Sequence, residues 1–233
     1  MKEIAIEKAW SGAERCKRCA IRHLVLFSDL SYEDFDRIHY PIDDLEHEPG
    51  SRLYRQGEAL EYVYTVRSGL IKLVQHLPNG DRRIVRLLGQ GDLAGLEGLG
   101  GQPADHDAVT LDHAAVCRIP ISLIKTLQKQ TPNLHEALMR RWQKALSGAD
   151  SWITRLSTGS ARQRVARLLL LLDETSTDDS FFLPTREDMG AMLGITTESA
   201  SKATADFRRR GWLRPLAAHR AWVDAEALRA EVD

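Results

Sequence analysis

Short runs of alternating and β-branched apolar residues, punctuated by glycine, fill the stretch from Pro49 to Pro120. Tyr62-Val63-Tyr64-Thr65-Val66 and Leu70-Ile71-Lys72-Leu73-Val74 flank Arg67-Ser68-Gly69. Pro78-Asn79-Gly80-Asp81 is a strong turn signal ahead of Arg83-Ile84-Val85-Arg86-Leu87, and the pair Gly89 and Gly91 follows. Asn-Gly and isolated glycines reverse a chain cheaply, so these runs read as strands of a small antiparallel barrel or roll. The run from Val109 to Ile119 supplies one more strand before Pro120.

From Pro132 the period changes. Leu138, Trp142, Ala145, Ala149, Trp152 and Leu156 recur at spacings of four and three, the a/d pattern of a helical seam. Thr131-Pro132 suits the start of that helix, because proline lacks only a donor that has no helical partner there. Such a stripe is either the buried face of one amphipathic helix or a face shared by two copies. Small residues at its centre let two helices approach closely, which favours a homodimer. Gly159 breaks the pattern, Ala161 to Glu174 forms a separate amphipathic helix, and Thr175 to Ser180 is a polar loop.

The next segment carries the chemistry. Thr185-Arg186-Glu187-Asp188 resembles a capping box, and Met189, Met192 and Leu193 share one helical face. Gly194 ends this short helix, Ile195 plugs the turn, and Thr196 or Thr197 caps a second helix. There Ala200, Ala203 and Phe207 form the buried side, while Thr197, Glu198, Ser201 and Lys202 lie opposite, near the N-terminus. Two short helices around a glycine turn, with polar side chains opening the second, make a helix-turn-helix. Gly211 ends the unit, and Trp212-Leu213-Arg214 with Ala221-Trp222-Val223 make a two-stranded wing around His219-Arg220. Glu198 can accept from a cytosine amino group, Ser201 can serve either sense, and Lys202 can donate to guanine. Arg209, Arg210 and Arg220 suit phosphates, which fix register without reading sequence. The bland alternative is a solvated helix face.

Charge supports the polyanion. The chain of 233 residues has a formal net charge of -1, which says nothing by itself. Between Ala200 and Trp222, however, Lys202, Arg208, Arg209, Arg210, Arg214 and Arg220 face only Asp206. With 43% apolar and 28% charged residues, the chain is globular and not disordered. Leu168 to Leu172 is too short to span a bilayer, and Met1 to Trp10 contains no signal-peptide core, so a cytoplasmic location with no membrane partner is expected. Three cysteines argue against a disulfide framework. A phosphate loop with its lysine, a nucleophile elbow and a His-Glu-x-x-His motif are all absent, so no enzyme activity is expected.

Together, Pro49-Gly50, Gln56-Gly57, Arg67-Ser68-Gly69, Gly91-Asp92 and the run Thr196 to Lys202 resemble the Crp/Fnr family of bacterial regulators over nearly the whole chain. The resemblance implies an α+β fold. Its parts would be an N-terminal cyclic-nucleotide-binding-like antiparallel β-barrel (jelly roll), a long dimerisation helix and a C-terminal winged helix-turn-helix. The expected division is a cysteine-containing segment over residues 1–30, a sensory barrel over 31–131, the dimer helix over 132–157 and the DNA-binding domain over 158–233. Palindromic double-stranded promoter DNA, RNA polymerase and a second copy of the chain are the implied partners. A sensory module whose C-terminal helices make only protein contacts is the competing reading. Lys202 stands where the family commonly has arginine, and lysine lacks the bidentate fork.

Two sensor classes separate within the family. Cyclic-nucleotide binders carry Gly-Glu-Leu and then an Arg-Ser pair whose arginine holds the phosphate. Here Gly95-Leu96-Glu97-Gly98-Leu99 and His106-Asp107 stand instead, and an aspartate repels an anion, so no cyclic nucleotide is expected. Cys16-Lys17-Arg18-Cys19 and Cys117 ahead of Arg118-Ile119-Pro120 are similar to the oxygen-sensing Fnr pattern, which implies an iron–sulfur cluster on Cys16, Cys19 and Cys117. Val25 stands where that pattern has a further cysteine. The fourth ligand is left open among His23, His113, a carboxylate and water, and a thiol switch or no cofactor is the alternative.

Overall fold

The computed structural model describes residues 42–130, 132–176, 178–216 and 219–232; Cys16, Cys19 and the rest of the 1–30 segment lie outside them. The chain divides into two compact units, one of the described residues up to Gln75 with Leu87–Leu146, the other of His76–Arg86 with Ser147–Asp233.

Two four-stranded antiparallel sheets build the β-rich part. The first runs β1 (Asp43–His47), β8 (Ala114–Pro120), β3 (Tyr62–Ser68) and β6 (Leu93–Ala94). The second runs β2 (Arg52–Tyr54), β7 (Asp107–Thr110), β4 (Ile71–His76) and β5 (Arg82–Leu88). Edge strand β1 alternates half-buried and exposed positions, whereas β3 is buried continuously from Val63 to Val66 because both its faces are covered. One face of β3 and β8, carrying Val63, Cys117 and Ile119, packs under α1 (Ile121–Gln130) and the start of α2 (Pro132–Leu156). Ile121, Leu123, Ile124 and Leu127 are at most 7% exposed, and each such burial stabilises by about 1.5–3 kcal/mol. The sequence alone predicts no helix here.

The single strand expected over Val109 to Ile119 is two strands in different sheets. The chain turns between Leu111 and His113, where the Asp112 carboxylate accepts its neighbour's N–H at 2.8 Å. Leu111 donates to Leu70 O at 2.8 Å and β8 then joins the other sheet. Apolar alternation continues through the corner because both strands bury one face, so periodicity alone hides it.

The reading unit begins with α3 (Ala161–Thr175), opened by a reciprocal capping box between Ser160 and Gln163. Then come β9 (Phe181–Phe182), α4 (Arg186–Leu193), α5 (Thr197–Arg209), β10 (Leu213–Pro215), β11 (Arg220–Val223) and α6 (Ala225–Val232). The wing has three strands in the order β10-β11-β9, one more than expected. Two residues, Phe181 and Phe182, are too short a run to show a period.

Helix α2 exposes a stripe rotated from the expected seam. Leu138 and Leu156, at 1% and 0% exposure, are taken up by the chain's own interior. Met139, Trp142, Leu146 and Ile153 remain 41–66% exposed. Of the expected seam, Trp142 is exposed and Ala145, Ala149 and Trp152 are half-buried in the single chain. One residue is about 100° of helix, and Leu138 was pulled inward by the sheet beneath it.

Candidate nucleic-acid interface

Thr185 and Thr196 open the two helices of the turn, their hydroxyls accepting from Asp188 and Ser199 N–H, each at 3.1 Å. Gly194 closes α4 in the left-handed conformation at φ 63°. Gly190 is needed for a different reason: a Cβ there would sit 2.8 Å from Ile195 O, so any side chain forces the turn open. Met189, Met192, Leu193, Ala200 and Phe207 are buried at 0–1% and fix the helices together. This leaves Thr197, Glu198 and Lys202 exposed, with Ser201 half-buried beside them, all on the first two turns of α5.

Glu198 and Lys202 pair with each other at 2.7 Å, one helical turn apart. Both are about three-quarters exposed, at 74% and 76%, so the pair contributes only about 0.3–0.5 kcal/mol and yields readily to a base edge.

The three arginines expected on phosphates already have intramolecular partners. Arg209 and Arg210 each donate to Asp206 at 2.9 Å, and Arg162 donates to the same carboxylate. Arg210 also lies 5.0 Å over Trp212, while Arg162 covers Phe207 at 4.7 Å and bonds Glu231 at 2.7 Å. Arg220 reaches Asp178 at 2.9 Å and Ser180 Oγ at 3.2 Å. Arg214, on the wing, lies 4.9 Å over the exposed Trp222.

Arg186, which sequence reasoning passed over, opens α4 half-buried. It donates toward Pro184 O at 3.5 Å and Met189 Sδ at 3.6 Å. Burial first, and the charge of Arg208 second, lower its pKa from the ordinary arginine value. A capped helix start holding an arginine was the available signal.

Hydrogen bonds from Arg162 first and Arg209 next hold the Asp206 carboxyl down at about 2. It is therefore a stronger acid folded than unfolded, and its contribution is complete above about pH 4 and withdrawn as pH falls toward 2. Acid unfolding of Asp206→Asn, followed by circular dichroism, is expected to depend less steeply on pH across that window than the wild type. Equal slopes would remove Asp206 from the acid response.

Among the described residues no three His, Cys, Asp or Glu side chains gather into a metal site. Cys117 is buried on β8, its Sγ donating to Asp44 Oδ1 at 3.4 Å. Asp107, which follows His106 where the family's cyclic-nucleotide binders have the Arg-Ser pair, is 6% exposed. Its carboxylate accepts from Gln56 N–H at 2.7 Å and pairs with Arg52 at 3.3 Å.

A sheet roll, a long helix with an apolar stripe, and a winged helix-turn-helix with polar residues at the reading end define a DNA-binding regulator. Similarity to known proteins agrees. Residues 45–131 match the cyclic nucleotide-binding domain and residues 163–231 the Crp-like helix-turn-helix domain. The fumarate and nitrate reduction regulatory protein of Escherichia coli K12 is 29% identical over 217 residues, covering 89% of this chain and 87% of that protein. A CRP-family transcriptional regulator from Thermus thermophilus is similar at TM-score 0.70 and 25% identity, over 81% of this chain and 96% of that one. FixK2 from Bradyrhizobium japonicum shares the fold at TM-score 0.73 and 24% identity, over 82% and 96%. The chain belongs to the Crp/Fnr family of transcription regulators, DNA-binding proteins and not enzymes. Among the described residues no helix is long and apolar enough to cross a membrane.

Proposed function

We propose that this protein is a cytoplasmic homodimer that reads palindromic promoter DNA and adjusts that binding to oxygen or redox state through an iron–sulfur cluster on Cys16, Cys19 and Cys117. Residues 1–30 would carry two of the cysteines, 31–131 the sensory roll, 132–157 the dimer helix and 158–233 the reading head. The carrying observation is the exposed N-terminal face of α5, where Thr197, Glu198, Ser201 and Lys202 stand clear of a buried core.

In the major groove the Glu198–Lys202 pair opens. Glu198 accepts from a cytosine amino group and Lys202 donates to guanine. Arg209, Arg210 and Arg220 exchange carboxylate partners for phosphate. Two copies would meet along Met139, Trp142, Leu146, Ala149 and Ile153, setting half-sites one helical turn apart. Family membership supports a contact with RNA polymerase. The Asp107 carboxylate, turned onto Gln56 and Arg52, supports a sensor that takes no cyclic nucleotide. The relative's role in fumarate and nitrate reduction supports a redox signal. The cluster would supply an oxygen-labile link, and Cys117 would anchor it to β8.

Glu198→Ala is expected to cost roughly 1–3 kcal/mol at one base pair of each half-site and relax specificity there. Quantitative site selection checks this, and an unchanged preference removes the assigned role. For the sensor, anaerobic protein should carry iron, sulfide and visible absorption, all lost in Cys117→Ser while the dimer persists. Colourless, iron-free wild-type protein that binds DNA tightly in air would leave a thiol switch or a ligand-free regulator.

A further inference from the structure

The two charged side chains at the reading end of α5 form a unit. Glu198 and Lys202 stand one turn apart on one face, with carboxylate oxygen and ammonium nitrogen separated by 2.7 Å. Thr196 caps the helix ahead of them, and Ala200 and Ala203 are buried behind them, which fixes the backbone that carries both. Acceptor and donor therefore reach the groove in a set order, the acceptor from the first turn and the donor from the second.

A base pair offers the complement at nearly the same spacing. In the major groove a cytosine amino group lies beside its guanine keto oxygen, and an adenine amino group beside its thymine keto oxygen. Each amino group is hydrogen-bonded to that oxygen, so the two stand about 2.9–3.0 Å apart. The opened pair can settle on one such edge, carboxylate against amino group and ammonium against keto oxygen. Inverting the base pair sets acceptor on acceptor and donor on donor.

Cytosine–guanine and adenine–thymine in the same orientation differ at the keto base, where guanine adds N7 and thymine does not. A rigid guanidinium fork asks for two acceptors and leaves one donor unmet on thymine. An ammonium is a point charge with rotatable donors, and it meets either keto oxygen. We infer that Glu198 and Lys202 together read one base pair of each half-site as amino against keto. They admit cytosine–guanine and adenine–thymine with the amino base under Glu198, and they reject both inverted pairs. The inference rests on the roles proposed above for Glu198 and Lys202, and it replaces a unique base by a class of two. Lys202 is the residue that widens the choice.

The test uses the full chain and a dyad-symmetric duplex selected from a random library. Each half-site position is then replaced in turn by all four base pairs. Competition binding gives relative affinities for the wild type, Lys202→Arg, Lys202→Ala and Glu198→Ala, with thermal melts reporting folding. At one position the wild type should bind the two permitted pairs within about threefold, and the inverted pairs about 5–150-fold more weakly. Lys202→Arg should raise the preference for cytosine–guanine over adenine–thymine there to at least about tenfold, other positions being unchanged. Glu198→Ala should let the inverted pairs in at that same position. A wild type that takes cytosine–guanine alone, as strictly as Lys202→Arg, would overturn the inference and leave the single-base reading standing. Lys202→Ala that weakens every sequence alike and lowers the salt slope by about 0.9 would make Lys202 a phosphate contact, which also overturns it. If Glu198→Ala changes no preference at any position, the reading above and the inference fall together.

Discussion

Leu146→Glu is expected to yield folded monomers and to lower affinity for a full palindrome by about 10²–10⁴-fold, the gain that linking two reading heads provides. Leu146 is 66% exposed in a single chain, and Ile153, two turns on, is 61% exposed. Apolar side chains at three-four spacing along a helix are covered when a second helix meets them, and each contributes about 1.5–3 kcal/mol once buried. A glutamate at the centre of that stripe would face its own copy across the two-fold axis, adding like-charge repulsion to lost burial. Sedimentation velocity gives the oligomeric state, and titration against one half-site and a full palindrome gives the two affinities. Half-site binding should change little, since Leu146 belongs to α2 and the reading residues to α5. A stable dimer in this variant would refute the stripe as the interface.

Phe207→Ala should destabilise the reading unit by about 3–5 kcal/mol, the usual cost of a large aromatic removed from a core. Phe207 is 0% exposed, stacks on Trp212 at 5.8 Å between ring centroids, and lies under the Arg162 guanidinium. The substitution would remove the ring by which α5 seats in the core and the face over which Arg162 organises Asp206 and Glu231. Phe207→Leu fills more of that space and should cost less than half as much. Denaturant unfolding followed by tryptophan fluorescence measures both, Trp212 being the natural reporter. A loss below about 1 kcal/mol for the alanine variant would mean the site collapses around the gap and Phe207 is not its keystone.

The reading head was legible because its determinants are local. Thr185, Gly194 and Thr196 act within a few residues of themselves: a hydroxyl reaches an N–H three positions on, and a glycine adopts a left-handed turn by its own covalent nature. The helices they delimit then fix which residues share a face, so Ala200 and Phe207 against Glu198 and Lys202 follow from the period alone. Helix α1 was missed because only its packing on β3 and β8 distinguishes Ile121 to Leu127 from another apolar strand. The corner at Asp112 was missed because burial alternates on both sides of it.

The sequence by itself determined the capped helix-turn-helix, the polar residues at its reading end and the cysteine spacing. Each depends on backbone geometry within one or two turns. Tertiary structure decided which leucines of α2 are spent inside the chain, since a helix with apolar residues over more than one face can be rotated only by what it packs against. It also decided that Asp206 gathers Arg162, Arg209 and Arg210, and that Asp44 and Thr65 flank Cys117. Those groups are 44 and 73 residues apart at the widest in the Arg162–Asp206 and Asp44–Cys117 contacts. Sheet register and helix packing bring them within hydrogen-bond reach, and no local pattern encodes either.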